Sequence, residues 1–423
     1  MRLLLASITF ALYFPIFILP ILGYTGIRIF NPLMYSAILL FTLITIDFAS
    51  SIIRNRNVLS LRIMNPMHKQ LLLFEAYMIF IIYLKGAIDS SYKEAYQISL
   101  SIVVSFFILI YSYTRGYGRK FISVFDRLSL ILGIFLSIQV LLSIYESITG
   151  AYFPSLFQNI ATDISQRDIL SVFGLSQFKL FGFQVGLHGL LFQANVFGSM
   201  LVFYNIVFLF RYFESKKRIF LFFLLLCLFT SIGNTTRFAI FTILISDLIV
   251  FSVIYKDVRV RFFTISGIFI LSILYLNQLL IRWHFFFENT NTIQLRLDLW
   301  KYLLEIRIPE MSFIEKLFGC NLNDYLNFAI GFARKVSMEN AYFNRFALSG
   351  FIGLVLYLWT FHVYLILMSR KSSDIRKLEC SLIVICVILV SIFSATIFHF
   401  SNFIILTLLI LKVGENQQSK YQY

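Results

Sequence analysis

Long apolar runs separated by short polar stretches dominate this chain of 423 residues. Hydrophobic residue types make up 59% of it and charged types only 13%, more apolar side chain than a soluble domain can bury. A helix needs about 20 apolar residues to cross the hydrocarbon core of a bilayer. The runs therefore predict an all-α polytopic membrane protein with about twelve transmembrane helices. The predicted spans are 3–22, 32–53, 70–88, 95–113, 128–148, 190–210, 219–233, 238–255, 262–281, 341–368, 379–396 and 400–412.

Basic residues are distributed unevenly between the loops that connect these spans. Nineteen Lys and Arg residues occur in five alternate loops, whereas the opposite short loops contain Arg28, Lys85, Lys93 and Arg237. Because cytoplasmic loops are enriched in Lys and Arg, this pattern predicts that both termini are cytoplasmic. These clusters also account for the net charge of +15, which therefore does not indicate a nucleic-acid partner.

The chain reads as a single transmembrane domain, 1–423, with a retained N-terminal span and no appended soluble domain. Two outer segments, 149–189 and 282–340, are much longer than the other connections. Long structureless connections are uncommon, so we expect both segments to fold as helices that cover a cavity and to contribute to function. Cys320 has no cysteine partner among the outer loops, and nothing in the pattern indicates a metal site or a cofactor.

The second outer loop has two notable features. It carries several basic residues on the side where short loops usually avoid them, which suggests an anionic headgroup as their partner. Its apolar residues recur at helical spacing, which predicts an amphipathic helix at the membrane interface. The basic residues are Arg282, Arg296, Lys301, Arg307, Lys316, Arg334 and Lys335. The apolar residues are Ile293, Leu297, Trp300 and Leu304.

Two arginines at the outer surface are candidate phosphate ligands. Arg237 stands at the start of the eighth predicted span, and Arg296 lies one helical turn before Trp300. A planar guanidinium binds phosphate oxygens bidentately and keeps its charge. The alternative is that both arginines pair with membrane lipid phosphates, while Trp300 anchors its helix in the headgroup layer.

Polar residues near the starts of two outer-facing spans complete the candidate set. Glu339 can act as a general base, and Asn340 can orient a sugar hydroxyl, although either residue can instead cap a helix. His188 is a second candidate base, and Asn195 is an amide inside a span that needs a polar partner. Acidic residues within spans raise the possibility of a proton relay; these are Asp47, Glu75 and Asp247.

Several segments together resemble the O-antigen polymerase and O-antigen ligase family. The resemblance covers about residues 185–355, and it depends on the order of the segments more than on any one of them. The segments are GLHGLLFQANVFG, GNTTRFAIF, RLDLW, IEKLFGCNLNDY and ENAYFNRFALSGFIGL.

The resemblance implies metal-independent transfer of a glycan from an undecaprenyl diphosphate carrier, on the outer face of the bacterial cytoplasmic membrane. The family's diphosphate-binding arginines would correspond to Arg237 and Arg296. The ligase branch has a His near the position of Glu339, so its absence here favours a polymerase with Glu339 as base. The expected substrate-binding residues are Asn340, Tyr342, His188, Asn195, Trp300 and Arg282.

Two alternative functions remain open at this stage. The first is an O-antigen ligase, and the second is a lipid-linked oligosaccharide flippase or polysaccharide transporter. A transporter would place charged residues along a path through the bilayer, whereas here most basic residues lie in loops. A polymerase would have the lipid-linked glycan and membrane lipid as partners, and a chain-length regulator is a further partner to test.

Overall fold

The computed structural model describes most of the helical part of the chain. The described residues are 64–114, 119–149, 179–180, 183–184, 194–234, 237–254, 297–326, 328, 340–370, 374–398 and 400–418, with five helical residues between 42 and 50. Almost all of them are helical. The exception is a short antiparallel pair, β1 (Lys179–Leu180) and β2 (Phe183–Gln184), in the first outer segment, where we expected helix.

The described helices follow one another in the order that the apolar runs predict. The first six are α1 Pro66–Ile88, α2 Tyr92–Thr114, α3 Arg119–Thr149, α4 Ala194–Ser215, α5 Arg218–Asn234 and α6 Arg237–Ile254. The next three form the polar segment: α7 (297–310, with a π-helical turn at Leu303–Arg307), α8 Phe313–Phe318 and α9 Leu322–Leu326. The last three are α10 Ala341–Leu358, which continues to Arg370, α11 Asp374–Phe393 and α12 Phe400–Gln418.

Nine of the twelve predicted spans therefore coincide with described helices, which confirms the helical class. Within the described part of the chain, three helices are long and apolar enough to cross a membrane: Pro66–Ile88, Tyr92–Tyr113 and Ala341–Arg370. The predicted spans 3–22 and 262–281 lie outside the described residues, as does most of 32–53.

Local sequence explains where α1 begins. Asn65 accepts a hydrogen bond from the Met67 N–H at 2.9 Å, and Pro66 occupies the first helical position, where its missing N–H costs nothing. The helix then buries Leu71, Phe74 and Met78 in the main core, which α2, α4, α10, α11 and α12 also line. Serine and threonine side chains are buried among these apolar residues, as is common where membrane helices pack closely.

Up-and-down connections give the bundle two distinct ends. At the first, the Asn340 end, α1 and α11 finish and α10 begins; Asn340 donates a hydrogen bond to the Ile392 carbonyl at 3.2 Å. At the second, the Lys412 end, α1 begins and α12 finishes; Asn65 donates to the Gly414 carbonyl at 2.7 Å. The distribution of basic residues predicts that the first end faces outward and the second faces the cytoplasm, and this orientation stays a prediction.

Two acids inside the bundle have neutral hydrogen-bond donors. Glu75 of α1 accepts from the Ser105 hydroxyl of α2, and that hydroxyl lies 2.6 Å from the Thr407 hydroxyl of α12. Asp247 of α6 accepts from the Asn205 amide of α4 at 2.7 Å. Each acid thus joins neighbouring helices, which gives both a structural role.

Candidate functional site

Helix α10 is broken near its start, and the break organises the Asn340 end of the bundle. Gly350 has φ 66° and ψ −165°, a backbone conformation outside the helical region that L side chains rarely adopt. A Cβ atom at this position would overlap the backbone of Leu317 and Phe318. Glycine is therefore required at position 350 both for the backbone angle and for the close approach of α8.

A helix break leaves carbonyl groups without their helical donors, and here the connection between α8 and α9, together with α1, supplies three replacements. The Ala347 carbonyl accepts from the Cys320 N–H at 2.9 Å. The Leu348 carbonyl accepts from Lys85 Nζ at 2.6 Å, and the Ser349 carbonyl accepts from the Tyr77 hydroxyl at 3.1 Å. A broken helix at membrane depth is tolerated only where the freed backbone groups find partners in the protein.

Lys85 and Asp89, at the end of α1, connect the polar segment to this break through hydrogen bonds. The Lys85 ammonium also donates to the Cys320 carbonyl at 2.6 Å, so it joins α1 to two segments at once. Asp89 accepts from the Leu322 N–H at 2.6 Å, at the first residue of α9. In the sequence, Lys85 appears only as one of the few basic residues of the short outer loops, and Asp89 has no predicted role. Their partners could not be recognised because they are distant in the chain.

The polar segment has a small core of its own against α10. Leu299 and Leu303 of α7 are fully buried there, together with Met311, Cys320 and Ala347. Burial of a leucine side chain contributes about 1.5–3 kcal/mol to the free energy of folding, so the two leucines stabilise the packing of α7 against α10. The second outer loop therefore packs onto the bundle along residues 297–326.

The buried face of α7 differs from the predicted apolar stripe. The helix itself is confirmed from residue 297 onward, but Leu297 and Leu304 are exposed, at 48% and 57%. Trp300 is half-buried and packs against Phe343 of α10, with ring centroids 6.3 Å apart. The buried face of α7 is formed by Leu299 and Leu303, four residues apart, whereas Leu297 and Leu304 lie on another face, whose predicted contact with the membrane interface stays a prediction.

The local ionisation of the polar segment follows from its contacts. Ser312 and Glu315 form a reciprocal capping box at the start of α8, and these hydrogen bonds lower the pKa of the Glu315 carboxyl. Burial raises the pKa of the Cys320 thiol to about 11, although the nearby Lys85 charge opposes this effect. Cys320 is therefore a neutral, packed thiol at physiological pH.

Asn340 and Tyr342 lie at the start of α10, as the motif predicted. The Asn340 side-chain oxygen accepts from the Tyr342 N–H at 2.9 Å and the Phe343 N–H at 3.2 Å, so this residue caps the helix. The Tyr342 hydroxyl lies 3.0 Å from His362 Nε2 and is half-buried. Trp300 reaches the same region through Phe343, so the fold brings together three of the predicted site residues.

Arg345 is the residue of this region that the sequence analysis missed. It is 4% exposed, and its guanidinium carbon lies 3.5 Å from the centroid of the Phe398 ring. Its Nε and Nη1 atoms are buried and have no hydrogen-bond partner among the described residues. The signal was present, since Arg345 lies five residues inside the predicted span 341–368, where a charge is a functional candidate by default.

The other predicted site residues are only partly described. Arg237 begins α6 and Asn195 is the second residue of α4, but the positions of their side chains are not described. Four residues lie outside the described residues altogether: Arg282, Arg296, Glu339 and His188. Their roles therefore stay predictions.

Comparison with known proteins gives no indication of function, so the evidence comes from the residues of this chain. The chain matches no protein-family model, and no curated protein sequence is significantly similar to it.

Proposed function

We propose that this protein is a polymerase of undecaprenyl-diphosphate-linked oligosaccharide repeat units on the outer face of the bacterial cytoplasmic membrane. The observation that carries the proposal is the packing of the polar segment 297–326 onto the broken start of α10. This packing supports the presence of an ordered substrate-binding site at one end of an apolar bundle. It places the Trp300 ring 6.3 Å from the ring of Phe343, which follows Asn340 and Tyr342 in the first turn of α10.

The chemistry of the proposed reaction suits the residues available. A lipid diphosphate is a good leaving group, so catalysis requires cations that stabilise the developing charge and a base for the attacking hydroxyl. Arg237 and Arg296 are the proposed diphosphate ligands, and Glu339 is the proposed base. In the sequence, Glu339 directly precedes Asn340, the residue that caps α10. A topology of about twelve spans with both termini in the cytoplasm would place the Asn340 end of the bundle on the outer face of the membrane.

Substitution of Glu339 and Arg237 tests the proposal in cells. Glu339→Gln keeps the shape but removes the base, so we expect the polymer ladder on a gel to disappear while protein level stays normal. Arg237→Lys should lower polymer formation about ten- to a hundredfold, the cost of losing roughly 1.5–3 kcal/mol of bidentate contact. Exposed Glu310 and Arg370 provide the matched controls Glu310→Gln and Arg370→Lys, which should leave the ladder unchanged.

Normal polymer from Glu339→Gln would overturn only the assignment of Glu339 as base, and His188 would be the next candidate. Three other outcomes would count against the function itself. A deletion strain that accumulates full-length polymer on its carrier would indicate a ligase. Single repeat units retained on the inner face would indicate a transporter, and cytoplasmic labelling of cysteines introduced within 282–340 would contradict the topology itself.

A further inference from the structure

Arg345 is buried at the Asn340 end of the bundle. Among the described residues, no carboxylate lies within ion-pair distance of its guanidinium. Two of its nitrogens, Nε and Nη1, are buried and unpartnered. A buried charge without a partner is costly, so proteins usually keep one only where a ligand or a partner group completes it.

The ring of Phe398 holds the guanidinium plane but does not satisfy its donors. The cation–π contact uses the face of the guanidinium, whereas its N–H groups point outward in the plane. The stack with Phe398 therefore leaves Nε and Nη1 of Arg345 buried and without a hydrogen-bond acceptor among the described residues. This arrangement suits a planar, bidentate contact with an oxyanion.

The neighbours of Arg345 are polar but neutral. The Tyr325 hydroxyl of α9 donates to the Asn344 side chain at 3.0 Å. Burial raises the pKa of Tyr325, while the positive charge of nearby Arg345 opposes the rise, so the two groups are electrostatically coupled. Tyr325 therefore stays protonated and does not neutralise the arginine.

The start of α10 does not itself offer a free anion site. Asn340 already accepts hydrogen bonds from the N–H groups of Tyr342 and Phe343. An anion at this end of the bundle would therefore gain its main contact from Arg345, about one helical turn further along the helix.

We propose that Arg345 binds a phosphate oxygen of the polyprenyl diphosphate carrier, as a further cation of the site beside Arg237 and Arg296. The identity of the carrier rests on the proposed function, whereas the binding of a phosphate-bearing anion by Arg345 rests on the geometry alone. The same chemistry would also serve a phospholipid headgroup, so the test separates the two sources.

Thermal unfolding of the purified full-length protein in detergent tests this assignment. Undecaprenyl diphosphate is titrated into the wild type and three variants, Arg345→Met, Arg345→Lys and Arg370→Met. The last carries the same change at the exposed opposite end of the same helix. We expect the carrier to raise the Tm of the wild type and of Arg370→Met alike. Arg345→Met should need at least about tenfold more ligand for the same shift, because it lacks a charge-assisted contact.

Arg345→Lys keeps the positive charge but loses the planar guanidinium, so it should need more ligand than the wild type for the same rise in Tm. If Arg345→Met does not fold, Arg345→Lys becomes the deciding variant. Equal ligand dependence of the wild type and the deciding variant would overturn the proposal. A large fall in the Tm of ligand-free Arg345→Met, with no change in the ligand dependence, would also overturn it, because a carboxylate of the chain would then be the partner.

Phosphatidylglycerol and sodium pyrophosphate are titrated in parallel. An Arg345-dependent shift with the carrier and with pyrophosphate, but not with phosphatidylglycerol, supports the carrier assignment. A shift with phosphatidylglycerol that equals that with the carrier would overturn the carrier assignment in favour of a lipid headgroup. Because these measurements do not involve polymer formation, a deletion strain that retains single repeat units on the inner face would defeat the proposed function and leave the phosphate site of Arg345 standing.

Discussion

At the Asn340 end, the role of each polar residue depends on its burial and its contacts more than on its residue type. Lys85 is 6% exposed and has two carbonyl partners, Arg345 is 4% exposed and stacks on a phenyl ring, and Asn340 caps a helix. Cys320 belongs to this group, since its thiol donates to the Ala347 carbonyl at 3.1 Å inside the small core. The reactivity of Cys320 therefore reports on whether the polar segment is in place.

Cys320 should react slowly with maleimide, although it is the one cysteine in the long outer loop. With a pKa raised to about 11 by burial, roughly one thiol in a thousand is ionised at pH 8. The labelling rate of a variant with alanine at the other three cysteines should rise about tenfold per pH unit below that pKa. Cysteine at exposed position 301, introduced in the same background with Cys320 also replaced, should label rapidly at pH 8. Equal rates for the two positions would contradict the burial of Cys320.

At the scale of elements, the broken helix α10 and the polar segment stabilise each other. Gly350 and Gly319 both have positive φ, and each lies against the backbone of the other segment. The hydrogen bonds of Lys85 connect this junction to α1, so three elements that are remote in sequence depend on one contact region.

Gly350→Ala should release the polar segment. The left-handed φ alone costs about 1–2 kcal/mol for a residue with a Cβ atom, and the new methyl group would overlap the Leu317 backbone. We expect faster trypsin cleavage at Lys316 and faster maleimide labelling of Cys320. The neighbouring Phe351→Ala, which truncates an exposed ring, should keep both rates near those of the wild type. Unchanged cleavage in Gly350→Ala would show that the segment is held independently of the break.

Across the whole molecule, a charge cluster closes the Lys412 end of the bundle. The ammonium of Lys412, which is almost completely buried, lies 2.8 Å from Glu214 of α4 and 3.1 Å from Glu379 of α11. Arg211 of α4 pairs at 2.7 Å both with Glu214 and with Asp126 of α3. Four helices therefore meet in one ionic network at the end opposite the candidate site.

Lys412→Met should destabilise the bundle strongly. Removal of one member of a buried ion pair leaves carboxylates without compensation, at a cost of about 3–5 kcal/mol. We expect a lower Tm in detergent, with partial recovery in the double variant Lys412→Met, Glu379→Gln, where one of the orphaned charges is also removed. Lys377→Met, at an exposed position of α11, serves as the matched control. A Tm of Lys412→Met equal to that of the control would exclude a structural role for the network.

The sequence by itself determined the helical class, the position of each described long helix and the presence of a helix over the first residues of the polar segment. It did so because a run of apolar residues in an apolar solvent must satisfy its backbone internally, which restricts it to a helix. It also selected Asn340 and Tyr342 at the start of α10, through a local motif.

Only the tertiary structure decided which polar groups meet. Lys85 and Cys320 are 235 residues apart in the chain, and the break at Gly350 depends on Leu317 and Phe318, which belong to a different helix. Arg345 illustrates the same limit, since the sequence places a charge in a span without telling whether it faces lipid, a carboxylate or the ring of Phe398. Helix periodicity specifies faces within one element, whereas the partner of each face depends on how the elements pack.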